Sequence, residues 1–65
     1  ELLETLEALV NNLGARNVTA NALHLHRNTL MYRIMKIENQ TGYDLSDPNS
    51  ILELAFALRI MKFMK

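Results

Sequence analysis

The sequence predicts an all-α domain of four helices, and three observations carry that expectation. Apolar residues recur at spacings of three and four rather than two. Both glycines, Gly14 and Gly42, and the single proline, Pro48, fall between the periodic segments, where helices stop and start. Val, Ile and Thr are too scattered for strands, and no alternating stretch of useful length occurs. With 65 residues, 49% of them apolar and 22% charged, residues 1–65 read as one compact domain. A chain this short buries only about 60% of the surface it exposes when unfolded, so its core must be efficient.

The first helix is set by Leu2, Leu6, Leu9 and Leu13, with Leu3 and Val10 widening the stripe. Residues Asn12 to Arg16, with Gly14 in the middle, read as its C-terminal turn. Asn17 is the expected N-cap of a short second helix from Val18 to about His24, with Val18, Ala22 and Leu23 inward. After Leu25 and the polar run His26-Arg27-Asn28-Thr29, the stripe Leu30, Ile34, Ile37 and Thr41 defines a third helix over about 27–41, ending at Gly42. Asp47-Pro48 pairs an N-cap with a proline at the first helical position, and a fourth helix follows almost to the chain end.

Several function classes are excluded at this level. Cysteine is absent, so there are no disulfides and no thiolate metal sites. The apolar stretch from Ile51 to Met64 is interrupted by Glu53, Arg59 and Lys62, which is too polar for a membrane span. His24 and His26 lack a third ligand, so no metal is expected. No nucleophile–base or paired-carboxylate constellation assembles, since turn and capping duties account for Asp44 and Asp47; neither catalysis nor a cofactor is expected. The chain opens at Glu1 without a signal peptide, and it reads as a cytoplasmic fragment of something longer.

The formal net charge is zero, but the distribution is uneven. Glu1, Glu4 and Glu7 open the chain, and no acid recurs until Glu38. Between them lie Arg16, Arg27, Arg33 and Lys36, a basic block inside a neutral domain. Two short helices joined by about three residues form a helix-turn-helix pattern, which docks on DNA by placing its second helix in the major groove. On a helical projection of the third helix, Asn28, Tyr32 and Lys36 lie opposite the apolar stripe, with Thr29 and Met35 beside them and Arg27 and Arg33 on the shoulders. An amide, a phenol and cations suit base edges and phosphates. A merely solvated face would be the plain alternative, but such a face rarely lacks acids and rarely carries a tyrosine.

The run Ala22-Leu23-His24-Leu25-His26-Arg27-Asn28-Thr29-Leu30, then Tyr32-Arg33, Ile37-Glu38, Thr41-Gly42 and Asp44-Leu45, closely resembles the C-terminal helix-turn-helix domain of the PucR family. That family, which includes CdaR-like sugar diacid regulators, comprises bacterial transcriptional regulators with a sensing region upstream. The helix pair is also similar to that of Fis, which binds DNA as a dimer. The resemblance implies double-stranded DNA as partner and a Fis-like arrangement of helices. It places His26 at the N-cap and Arg27, Asn28 and Tyr32 toward bases. His26, Thr29, Arg33 and Lys36 are then expected at phosphates, with Asn17 and Thr19 holding the backbone from the preceding helix. Met31 and Met35 stand where family members often carry Arg or another polar residue. That departure keeps a second reading open, a helical protein-interaction module whose outer face meets an apolar partner.

The fourth helix carries two apolar stripes. Ile51, Leu54, Ala55, Leu58 and Met61 suffice for the core, while Leu52, Phe56, Ile60 and Phe63 lie roughly 120° away. The second stripe is either a further core face or a contact with a partner. In so small a domain the expectation is a dimer or interdomain contact, with a homodimer addressing two successive major grooves about 34 Å apart.

Overall fold

The computed structural model describes residues 1–64 and contains four helices: α1 (Leu2–Asn11), α2 (Arg16–Leu23), α3 (Arg27–Thr41) and α4 (Pro48–Phe63). No strand occurs among the described residues. α1 is central: it packs against each of the other three helices, α2 also packs against α3, and among the described residues α4 meets no helix but α1. The core consists of Leu6, Leu9, Val10, Ala20, Leu30, Ile34, Ile37, Leu45, Ile51 and Leu54.

The ends of α1 and α2 are built alike. At each, one amide reaches back five residues, Gly14 N–H to Leu9 O at 2.8 Å and Leu25 N–H to Ala20 O at 2.9 Å. The amide before it closes a tighter turn, onto Val10 O and Asn21 O. This paired pattern needs a left-handed residue just past the helix. Leu13 and His24 supply it, both with φ of 56°, although neither is glycine. Gly14 is also left-handed, and a Cβ there would meet Ile51 Cγ1 at 3.4 Å, so α4 starts close against this turn.

Two consecutive left-handed residues reverse the chain at once, and α2 therefore begins earlier than its sequence suggests. Its N-cap is Ala15, not Asn17, and the cap has no side-chain hydrogen bond. The inward face is correspondingly rotated. Thr19 and Ala20 are buried and Leu23 half-buried, whereas Val18 and Ala22 are exposed. Leu13 is outside α1 and exposed, and Leu3 is half exposed.

α3 follows its expected bounds. His26 Nδ1 accepts the Asn28 N–H at 3.1 Å as N-cap, and Gly42 with φ of 78° accommodates the left-handed stop. Leu30, Ile34 and Ile37 are buried as their spacing predicts. Thr41 is not. It lies beyond the end of the core, and its hydroxyl donates to Ile37 O at 2.8 Å and accepts the Tyr43 N–H. Asp47 caps α4 by accepting the Asn49 N–H at 2.9 Å, with Pro48 at the first helical position. Of the stripe assigned to the core, Ile51 and Leu54 are buried and Ala55 and Leu58 partly so, but Met61 is exposed. α4 outruns its contacts with α1.

The left-handed His24 stores backbone strain of about 1 kcal/mol, because its Cβ crowds the following carbonyl. His24→Gly is expected to raise the unfolding midpoint by roughly 4–8 °C, the shift that such an energy gives a domain of this size. Thermal unfolding followed by circular dichroism checks this; an unchanged or lower midpoint would contradict it.

Candidate nucleic-acid interface

The turn between α2 and α3 is three residues long, His24 to His26, and the two helices pack against each other. With Leu30, Ile34 and Ile37 buried, the opposite side of α3 is directed away from the domain. Arg27, Asn28, Thr29, Tyr32, Met35 and Lys36 are all exposed. The base-reading candidates Arg27, Asn28 and Tyr32 thus share the first two turns of one accessible helix. None of them has a side-chain hydrogen bond or carboxylate partner among the described residues.

Tyr32 and Lys36 lie one turn apart, and the Lys36 ammonium sits 5.3 Å from the centre of the Tyr32 ring. At an exposed site such a cation–π contact is worth only about 0.5–1 kcal/mol, little enough for a phosphate to draw the lysine away. His26 does double duty. With Nδ1 accepting the Asn28 amide, Nε2 is the ring's remaining donor. The N-cap and a phosphate contact are therefore compatible in one imidazole.

Two of the residues expected at phosphates are engaged within the domain. Thr19 is 0% exposed. Its hydroxyl donates to Ala15 O at 2.7 Å and accepts from Asn12 Nδ2 at 3.4 Å, which ties α2 to the end of α1. Arg33 leans across α1 instead of outward. Its Nη1 donates to Thr5 Oγ1 at 3.4 Å, its Nε lies 3.9 Å from Glu1, and its side chain is only 20% exposed. The projection of α3 put Arg33 on a shoulder of the outer face and the helix-turn-helix pattern put Thr19 beside the backbone, but each side chain turns toward a neighbour within the domain. Asn17 remains exposed at the start of α2.

Residues outside the expected set also shape this surface. Arg16, in the first turn of α2, donates to Ser46 Oγ at 2.9 Å and approaches Met31 Sδ at 3.5 Å. It joins the helix pair to the loop before α4. Placing the helix start at Val18 concealed it as a turn residue, although it belongs to the basic block. Glu38 accepts the Leu45 N–H at 2.9 Å and so anchors the loop whose Leu45 is buried in the core. Asp44 accepts the Ser46 N–H within the same loop. These acids serve the backbone, and the α3 outer face carries none before Glu38.

Two helices, a three-residue turn and a second helix whose exposed first turns carry no acid define a helix-turn-helix unit of the kind that enters a DNA groove. The chain belongs to the PucR C-terminal helix-turn-helix domain family, which it matches over residues 2–60. It is 36% identical over 63 residues to the purine catabolism regulatory protein of Bacillus subtilis (strain 168), covering 97% of this chain and 12% of that protein. It is 42% identical over 62 residues to the proline-responsive transcriptional activator PutR of the same strain, covering 95% of this chain and 15% of that protein. A transcriptional activator, PmfR of Paenarthrobacter nicotinovorans, is 47% identical over 45 residues, 69% of this chain and 10% of that protein. The chain thus spans a small fraction of the length of these relatives. No solved structure matches it significantly.

The cap at His26 is separable from any contact with a ligand. His26→Ala should cost about 1 kcal/mol of stability, the usual loss when an N-cap acceptor is removed. His26→Ser should restore it, because a hydroxyl caps as well. Urea unfolding of both variants is the check; equal stability of the alanine and serine forms would show that the cap carries no weight.

Proposed function

We propose that this domain binds double-stranded DNA sequence-specifically, as the C-terminal helix-turn-helix of a bacterial transcriptional regulator, with α3 in the major groove. The observation that carries this reading is the exposed face of α3, where Asn28, Tyr32 and Lys36 stand opposite the buried stripe with Arg27 beside them. Arg27 and Asn28 contact bases, Arg suiting the O6/N7 edge of guanine and Asn the N6/N7 edge of adenine, while Tyr32 reaches a base edge one turn on. Asn17, His26, Thr29 and Lys36 hold phosphates on either side. The positive end of α3 adds to the attraction at its first turn.

The basic surface is strengthened by how the charges pair. Glu1 lies against Arg33 and Glu7 against Lys62, both on the α1 side, while Arg16, Arg27 and Lys36 have no carboxylate within 4 Å among the described residues. A domain of zero formal net charge therefore presents an excess of cations at its helix-turn-helix.

The family consists of DNA-binding domains of regulators, not enzymes, and this reading requires neither catalysis nor a cofactor. One relative is described as proline-responsive. A sensing region upstream of this domain is proposed here too, with the whole regulator acting in the bacterial cytoplasm and on the nucleoid when bound. No described helix is long and apolar enough to cross a membrane. Pairing of two copies is proposed through Leu52, Phe56, Ile60 and Phe63, which are 59%, 62%, 56% and 91% exposed on a helix that packs only on α1. Two-fold pairing would double the phosphate contacts and address two half-sites.

Titration of isotope-labelled domain with mixed-sequence duplex at low salt tests the core of the proposal. Amide shifts concentrated between Asn17 and Lys36, and fading as salt rises, are expected. Their absence at millimolar DNA would favour a protein partner for the same face. Within that framework Arg27→Ala should cost about 1–3 kcal/mol at one base position and relax specificity there. Lys36→Ala should weaken all sequences evenly and reduce the salt slope by about one; binding isotherms across salt and sequence separate the two patterns. Phe56→Asp with Phe63→Asp should lower self-association and DNA affinity together, and sedimentation identical to the parent would refute the pairing surface.

A further inference from the structure

The outer surface of α3 carries a second row beside Asn28, Tyr32 and Lys36. Met31 and Met35, also one turn apart, are 36% and 57% exposed. Neither belongs to the core. Met31 is not loose: its sulfur lies 3.5 Å from Arg16 Nη1, and the same guanidinium is braced by Ser46 Oγ at 2.9 Å. That bracing constrains a flexible thioether before any ligand arrives. The result is an apolar strip of two methionines along a helix face whose other row is polar and whose surroundings are basic.

In the major groove the apolar feature that distinguishes one base pair from another is the C5-methyl group of thymine. Methionine is polarisable and adaptable enough to pack on such a group wherever the helix lies within the groove. We infer that Met31 and Met35 read thymine methyl groups and are specificity-determining residues, so that the preferred half-site contains thymines beside the bases met by Arg27, Asn28 and Tyr32. This inference rests on the DNA-binding reading above. It assigns to the methionines a role in recognition and not only the filling of space.

The test begins with duplexes selected by this domain from a randomised pool. Each thymine of the selected site is then replaced singly by deoxyuridine, which removes only the methyl group and keeps the pairing edge. Fluorescence anisotropy should show a loss of about fourfold at one or two thymines per half-site, equivalent to ~0.8 kcal/mol for a buried group of that size. Met31→Ala and Met35→Ala should each abolish the sensitivity at its own thymine, and Met35→Leu should retain it. Both methionines are exposed, so the variants are expected to fold, and far-ultraviolet circular dichroism verifies that they do. If every thymine can be replaced within twofold, or if the sensitivity persists unchanged in both alanine variants, the inference falls while DNA binding stands. Methionines reserved for a protein partner would give that same pattern. If no duplex is selected at all, the DNA-binding reading fails and takes this one with it.

Discussion

Everything in this domain depends on one surface, the apolar side of α1. Leu6, Leu9 and Val10 are the contact onto which the other helices fold, and Leu9 has no solvent exposure at all. In so short a chain no second layer exists to share the load. Truncating a leucine at such a position typically removes about 2–5 kcal/mol, against a total stability of roughly 5–15 kcal/mol for a native domain. Because α1 holds α3 by Leu30 and Ile34, it also determines which side of α3 remains outside. The presentation of Asn28, Tyr32 and Met35 is thus a consequence of core packing on the far side of the same helix.

The same centrality explains α4. A helix with one partner can bury one stripe, and α4 has only α1. Ser50, Ile51 and Leu54 go inward with Ala55 and Leu58 partly covered, and the other apolar side chains of the helix are left in solvent. The Glu7–Lys62 ion pair joins α1 to α4 at 3.5 Å, but at a partly exposed site it adds little stability.

Charge is organised by duty. Glu38, Asp44 and Asp47 each accept a backbone amide at a turn or helix start, which keeps the acids near the α3–α4 connection where unsatisfied N–H groups need them. Glu1 and Arg33 meet across α1 and α3. What remains along the exposed first turns of α3 is cationic, and a zero total conceals it.

Much of this was legible in the residues. The bounds of α3, the capping by His26 and Asp47, the stop at Gly42 and the family motif all depend on local chemistry, and local chemistry is written in sequence order. The exposure of Asn28 and Tyr32 follows from the buried stripe of the same helix, whereas Arg27 was a candidate through the family resemblance. The start of α2 was not legible, since Leu13, just ahead of Gly14, adopts left-handed backbone that glycine would ordinarily signal. Nor was the withdrawal of Thr19 and Arg33 from the outer surface, nor the recruitment of Arg16 to Met31 and Ser46. Those depend on residues 4 to 30 positions away, and a side chain near the edge of a helical face turns toward whichever neighbour packing brings within reach. Sequence by itself determined the helices, the family and the chemistry of the exposed row. Only the tertiary structure decided which polar groups near that row stay free, because hydrogen bonds to neighbouring elements engage Thr19, Arg33 and Arg16.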